Sequence, residues 1–160
     1  MKIDIHTHIL PPDIPKFKDI FGYGGFIHLD HCSECSAKMM RDDGKFFREV
    51  GSNTWNAAHR IQEFTETGVT QQVLSTVPVM FSYWAKPKDG EYVAKHLNDH
   101  LAGVVEKDRS HFFGLGTLPM QDADLAIREL ERCVKELGLS GVQIGSHVNG
   151  WNLDNPNVTA

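Results

Sequence analysis

The sequence predicts an α/β fold in which parallel strands alternate with crossover helices. Three observations carry that prediction. Short apolar runs alternate with amphipathic helical stretches in the order β, insertion, α, β, α, β, α, β, which implies parallel strands joined by right-handed crossovers. The first strand ends in His6-Thr7-His8, at the carboxyl edge where parallel sheets gather their active sites. The chain has 160 residues, enough for one domain with a real core but fewer than the about 250 of a closed (β/α)8 barrel. Two architectures fit: a small open doubly wound sheet, or half of an eight-stranded barrel.

Each element has a local cause. Strand 1 covers residues 2–5, Lys2-Ile3-Asp4-Ile5. Pro11, Pro12 and Pro15 then bar an immediate helix or central strand, and Phe21-Gly22-Tyr23-Gly24-Gly25-Phe26 is rich in turn formers. Residues 37–50 read as a β-hairpin around the turn Asp42-Asp43-Gly44. This insertion, roughly residues 17–50, leaves the carboxyl end of strand 1 and is expected to lie over the mouth of the sheet as a cap. A helix over 54–67 follows, with Ser52 or Asn53 able to cap it, Ala57, Ile61 and Phe64 at helical spacing, and Gly68 just past its end. Strand 2 covers 69–76, and the loop 78–87 carries Phe81, Tyr83 and Trp84. The helix at 89–107 presents Val93, Leu97, Leu101, Val104 and Val105, and strand 3 covers 112–115. Asp122 or Asp124 caps a third helix, whose Ala126, Ile127, Leu130, Cys133, Val134 and Leu137 recur at helical spacing before Gly138. Strand 4 is 141–144, and residues 149–160 are polar and irregular.

Composition narrows the class. The apolar fraction of 41% and charged fraction of 23% are ordinary for a soluble globular domain. A net charge of -5 argues against nucleic acid or an anionic membrane as partner. No apolar run approaches the ~20 residues of a membrane span, and the N-terminus lacks the pattern of a secretory leader, so a cytosolic location is expected. Three cysteines, Cys32, Cys35 and Cys133, with no secretory signal favour reduced thiols. Cys133 falls on an apolar helix face. Cys32-Ser33-Glu34-Cys35, preceded by His28 and His31, lacks the second downstream ligand pair of a structural zinc site and reads as a polar loop.

His6 and His8 are the chemical core of the sequence. Side chains i and i+2 on a strand project from one face, so the two imidazoles stand together and Thr7 turns away. Such a pair can bind one borderline ion such as Zn²⁺; the plainer alternative is two surface histidines. Asp4 shares their face in an ideal strand and is a candidate partner behind them. His28, His31, His59, His96, His100 and His111 read as surface or structural residues, and His147, past strand 4, as solvent-facing or behind the site. Phe81, Tyr83 and Trp84 either cover the core or line a pocket.

The segments Lys2-Ile3-Asp4-Ile5-His6-Thr7-His8-Ile9-Leu10-Pro11, Phe21-Gly22-Tyr23-Gly24-Gly25, the stretch from Ser75 to Lys86, the stretch from Gly114 to Gln121, Arg132-Cys133-Val134-Lys135-Glu136-Leu137-Gly138 and Gly141-Val142-Gln143-Ile144-Gly145 together resemble the aminocarboxymuconate-semialdehyde decarboxylase family. That family belongs to the amidohydrolase-related, metal-dependent hydrolase superfamily. The resemblance runs over nearly the whole chain and weakens around 32–35 and in the last dozen residues. It implies the first four βα units of a (β/α)8 TIM-like barrel, with a β-hairpin insertion after strand 1. It also implies zinc-dependent decarboxylation of 2-amino-3-carboxymuconate 6-semialdehyde to 2-aminomuconate 6-semialdehyde in tryptophan and kynurenine catabolism, limiting quinolinate formation.

By resemblance, one zinc ion takes His6 and His8 as two of four protein ligands, and Arg48 holds a carboxylate of a small dicarboxylate-like substrate. A planar guanidinium suits that task. Strand 4 carries no lysine of the kind that bridges two metals, which favours a single ion. The remaining histidine and aspartate ligands, and the histidine general base, belong to the second half of the family's barrel, so no catalytic base is expected within this chain. The family is expected to pair as homodimers. Three hypotheses follow: the N-terminal half of a decarboxylase, inactive by itself; a truncated isoform that binds or regulates a partner; or a small zinc module built from His6, His8, Cys32 and Cys35.

Overall fold

The computed structural model describes residues 1–156 and 158. Four parallel strands form the main sheet in the order β1 (Ile3–His8), β5 (Gln71–Ser75), β6 (Phe112–Gly116) and β7 (Gly141–Val142). Between β1 and β5 lie α1 (Phe17–Phe21), a three-stranded antiparallel sheet of β2 (Ile27–His31), β3 (Ser36–Arg41) and β4 (Phe46–Gly51), and α2 (Ala57–Glu66). The helices α3 (Pro87–Lys107) and α4 (Ala123–Lys135) form the next two crossovers, and β8 (His147–Val148) pairs with β9 (Trp151–Asn152) after them.

The order of the main sheet never reverses, which separates the two architectures left open by the sequence. A doubly wound sheet turns back at a switch point and is covered on both faces. Here α2, α3 and α4 all pack on one face: Phe64, Leu101, Val105 and Cys133 share a cluster with Leu74 and Phe112. The opposite face carries the half-exposed Ile3 and Phe113. That is the wall of a (β/α)8 barrel, with helices outside and the lumen face inside. Gly114 and Gly116 let the outer layer approach closely; a Cβ at Gly116 would sit 2.7 Å from the Cys133 sulfur.

A second cluster fixes the cap. Leu10, two residues past β1, packs with Ile14, Phe17, Phe26, Ile27 and Met39, so the β2–β3–β4 sheet rests on the carboxyl end of the first strand. The backbone N–H of Leu10 donates to Thr54 at 2.8 Å, and His31 Nε2 lies 2.7 Å from the Pro12 carbonyl. The cap is thus seated on the end of β1 by apolar contact and by the His31 side chain.

Several local expectations change. The hairpin at 37–50 is present but belongs to three strands, because Ile27 and Leu29 add a strand beyond the turn-rich 21–26 segment. The short α1 forms despite Pro15, ending at Gly22 with φ of 77°. Asn56 caps α2, accepting from Ala58 and His59 backbone N–H groups, while Ser52 and Asn53 lie in a 3₁₀ turn. Asp122, not Asp124, caps α4. Residues 149–160 were expected to be irregular, yet Asn149-Gly150 makes a hairpin turn, with Asn149 at φ of 52°. For Asn157, Thr159 and Ala160 that expectation lies outside the described residues. No helix among the described residues is long and apolar enough to cross a membrane.

A buried polar network holds the third strand's mouth end. Asn98 of α3 is 1% exposed. Its amide donates to Thr117 O at 2.9 Å and Glu129 Oε1 at 2.7 Å, and its carbonyl accepts from Thr117 N at 2.8 Å. Glu129 is also gripped by Arg132 through Nε and Nη2 at 2.9 and 2.8 Å. Replacing Asn98 by Ala leaves the Thr117 backbone and a buried carboxylate short of partners, so unfolding in denaturant is expected to show a loss of about 2–4 kcal/mol. A loss under about 0.5 kcal/mol, the scale of an ordinary surface change, would contradict this role for Asn98.

Candidate functional site

β1 and β5 do not pair in simple register. Asp4 stands opposite Gln72 and Thr7 opposite Leu74, so two residues of β1, Ile5 and His6, face one residue of β5. This is a β-bulge, a device common beside active sites because it re-aims side chains. Past the bulge the alternation resumes: Thr7 sits opposite the fully buried Leu74 on the helix side, and His8 sits opposite Ser75 on the lumen side. The Thr7 hydroxyl donates to Val73 O at 3.0 Å.

The i, i+2 spacing keeps the two imidazoles together, and the bulge decides which face of the sheet they take. The ring centroids of His6 and His8 lie 4.9 Å apart, nearly edge to face at 78°. Two imidazoles sharing one ion at N-ligand distances of about 2.0–2.1 Å place their ring centres roughly 5 Å apart, a separation this pair has. Among the described residues no third histidine, cysteine or carboxylate joins them. The donor set therefore suits half of a metal site.

His8 is held from several sides. Its Nδ1 lies 3.1 Å from Ser75 Oγ, and the next backbone N–H, that of Ile9, donates to Ser75 O at 2.9 Å. Its own carbonyl accepts from Arg60 of α2, which also donates to Gln72 Oε1 at 3.2 Å. Burial lowers the pKa of His8 below the ordinary histidine value, and the neighbouring His6 lowers it further. Both effects favour the neutral ring, the form that can bind a metal. His6 is exposed. Asp4 is not a partner of either ring. The bulge breaks the alternation that would align it with His6, and its carboxylate instead accepts the His6 backbone N–H at 3.2 Å.

The other candidates are spread around the cap and mouth. Arg48 stands on β4 opposite the buried Met39, exposed, with no ion pair among the described residues. No hydrogen bond joins it to either imidazole among the described residues. Cys32 and Cys35 are free and exposed at the β2–β3 turn, and the fold does not gather them with His6 and His8. The four-ligand module of His6, His8, Cys32 and Cys35 is therefore not formed, because the cap is seated by Leu10 and its core with the cysteine turn outside that core. His147 is exposed on β8.

At the far side of the mouth, the loops after β5 and β7 flank an open cleft of about 590 Å³. Phe81, Tyr83, Trp84, Gln143 and His147 are among its walls, and neither His6, His8 nor Arg48 reaches it. Tyr83 joins the two loops: its hydroxyl accepts from Gly145 N at 3.0 Å and its carbonyl accepts from Asn149 Nδ2 at 2.9 Å. Sequence reasoning missed Ser75 and Arg60. Ser75, beside Thr76 at the end of a short strand, carried no signal that set it apart, and Arg60 looked like any charge on an amphipathic helix.

The sequence profile of the amidohydrolase family matches residues 3–159. The 2-amino-3-carboxymuconate-6-semialdehyde decarboxylase of Dictyostelium discoideum is 58% identical over 158 residues, covering 99% of this chain and 44% of that protein. The enzyme of the same name from Caenorhabditis elegans is 42% identical over 173 aligned positions, covering 96% of this chain and 43% of its own length. The chain thus spans less than half the length of these relatives. Among solved structures, a dihydroxybenzoic acid decarboxylase from Polaromonas sp. JS666, with bound manganese and the inhibitor 2-nitroresorcinol, superposes with a TM-score of 0.62 at 28% identity, over 88% of this chain and 37% of that one.

The titration of His8 is testable directly. In the metal-free chain, NMR titration of the ring protons is expected to give His8 a pKa below 6.5. His6→Gln removes the nearby charge and should raise the His8 pKa, but not to its ordinary value, because burial is the larger cause. The sign for stability follows: a lowered folded-state pKa gives stabilisation that is full above the unfolded pKa and is lost as pH falls through the folded one. A His8 pKa at or above 6.5 would contradict the buried, neutral ring.

Proposed function

The chain belongs to the amidohydrolase family, and from that premise we propose that it forms the amino-terminal half of a metal-dependent decarboxylase acting on 2-amino-3-carboxymuconate 6-semialdehyde. The product is 2-aminomuconate 6-semialdehyde, and the reaction draws tryptophan-derived material away from quinolinate. The carrying observation is the His6–His8 pair, at metal-sharing separation on the lumen side of β1. The 58% identity to the Dictyostelium decarboxylase supports the substrate class.

In this reading His6 and His8 hold two positions of one zinc ion. Imidazole donors suit zinc, whereas manganese, the ion of the Polaromonas neighbour, is better suited by oxygen donors. When bound, the ion supplies Lewis acidity that makes water a usable nucleophile near neutral pH. The protein's own residues do the rest of what this half contributes. Ser75 and Arg60 hold His8 in place. Arg48 lacks an ion-pair partner among the described residues, so its guanidinium is free to grip a substrate carboxylate with two parallel hydrogen bonds. Further ligands and the general base lie outside what these residues gather.

A hybrid enzyme tests the proposal. The 160 residues replace the matching stretch of the Dictyostelium relative, and decarboxylation of the semialdehyde is followed with zinc and with manganese. Activity is expected, best with zinc. His8→Ala is expected to remove nearly all of it, on the order of 10³-fold, as for a group acting at the reacting centre. Arg48→Ala should raise KM by about tenfold or more, the 1.4 kcal/mol or more of a lost charge-assisted contact, and Arg48→Lys should not restore it. A folded hybrid with no turnover, or full turnover in the His8→Ala hybrid, would contradict the assignment.

A further inference from the structure

We propose that Ser75 is a positioning residue that fixes the His8 imidazole as its Nδ1–H tautomer, leaving Nε2 as the free donor of the histidine pair. The argument is one of hydrogen counting. Ser75 is 4% exposed, so its hydroxyl settles its hydrogen bonds within the protein. Its Oγ lies 3.1 Å from His8 Nδ1 and 3.2 Å from the carbonyl oxygen of Thr7. A hydroxyl owns one hydrogen and two lone pairs, and a carbonyl oxygen can only accept. The hydrogen therefore goes to Thr7 O, and the oxygen turns its lone pairs to Nδ1. That nitrogen must then carry the ring hydrogen. The reverse arrangement, with Ser75 donating to Nδ1, would leave two oxygens facing each other at 3.2 Å with no hydrogen between them.

The surrounding contacts keep this geometry from relaxing. Thr7 is pinned by its own hydroxyl to Val73 O at 3.0 Å, so its carbonyl cannot swing away. Ser75 O is engaged by Ile9 N at 2.9 Å, which fixes the Ser75 backbone against the strand that bears His8. Arg60 takes the His8 carbonyl from the helix side. A neutral imidazole has one N–H; once Nδ1 holds it, Nε2 presents a lone pair. A histidine that binds a metal characteristically donates its other ring N–H to an acceptor, which orients the ring and raises its basicity. Ser75 Oγ is such an acceptor on β5, beside the backbone of Ser75 and Thr76, which also favours a proton on the His8 ring. His6 has no such partner among the hydrogen bonds of the described residues and meets His8 only ring to ring. The two imidazoles are thus unequal: one is preset, and one is free to adjust.

The use of Nε2 as a ligand rests on the proposed metal function, but the tautomer does not. The test uses the metal-free chain at about pH 8, above the ordinary histidine pKa of about 6.5. Long-range nitrogen–proton correlation NMR distinguishes Nδ1–H from Nε2–H. His8 is expected as Nδ1–H and His6 as the mixture of a free side chain. In Ser75→Ala, His8 is expected to move to that mixture, and zinc affinity measured by titration to fall 10–100-fold, the usual effect of losing such a partner. Ser75→Thr keeps the hydroxyl and should keep the Nδ1–H signature. His8 found as Nε2–H in the unmodified chain overturns the proposal whether or not any variant folds. An Nδ1–H signal unchanged in Ser75→Ala also overturns it. If the tautomer responds as expected while the hybrid enzyme, which carries the full ligand set, binds no zinc, the role of Ser75 stands and the metal reading fails.

Discussion

The bulged pairing of β1 with β5 is the constraint on which the site depends. One additional residue in β1, between Asp4 and Thr7, resets the alternation so that Thr7 turns to the buried Leu74 and His8 turns to Ser75. Without it, a regular strand would align Asp4 with His6 and bring a carboxylate behind the imidazoles. With it, Asp4 is left to cap the His6 backbone N–H, and the polar work behind His8 passes to the neighbouring strand. A bulge costs ladder hydrogen bonds. Here the Thr7 and Ser75 hydroxyls replace part of that ladder, with bonds of 3.0 and 3.2 Å to backbone carbonyls across the strand pair.

The fold was largely legible in the sequence, for identifiable reasons. The helical stripes through α2, α3 and α4 bury one face against a sheet, and the periodicity of Phe64, Leu97, Leu101 and Cys133 says so without a structure. Their order implies parallel strands. What periodicity cannot say is whether the helices lie on one face or two; that follows from the strand order β1-β5-β6-β7. Misses were local. The strand at Ile27–His31 is short and begins at a glycine-rich turn, and its partners in β3 lie beyond a second turn, from Ala37 to Arg41. The Asn149-Gly150 turn is a hairpin signal in its own right, masked by the polar residues around it.

The site was legible only where chemistry and spacing coincide. His6 and His8 announce themselves because two imidazoles at i and i+2 share a face whatever the strand pairs with. Ser75 and Arg60 do not, since their importance comes from partners 67 and 52 residues away. The same limit applies to the cysteines. Cys32-Ser33-Glu34-Cys35 has a metal-like spacing, but the apolar seat of the cap on Leu10 governs where that turn can go, and it goes to solvent. Packing overrules motif there.

The chain thus carries a barrel wall with its lumen face and a paired imidazole set at the mouth, within a family whose curated relatives are more than twice as long as the matched stretch. The most direct measurement of the central claim is X-ray absorption at the zinc edge of the zinc-loaded chain. The account predicts a first shell with two imidazole nitrogens at about 2.0–2.1 Å and no sulfur, collapsing when His8 is replaced by Ala. A shell containing sulfur at about 2.3 Å, or one indifferent to His6 and His8, would contradict it.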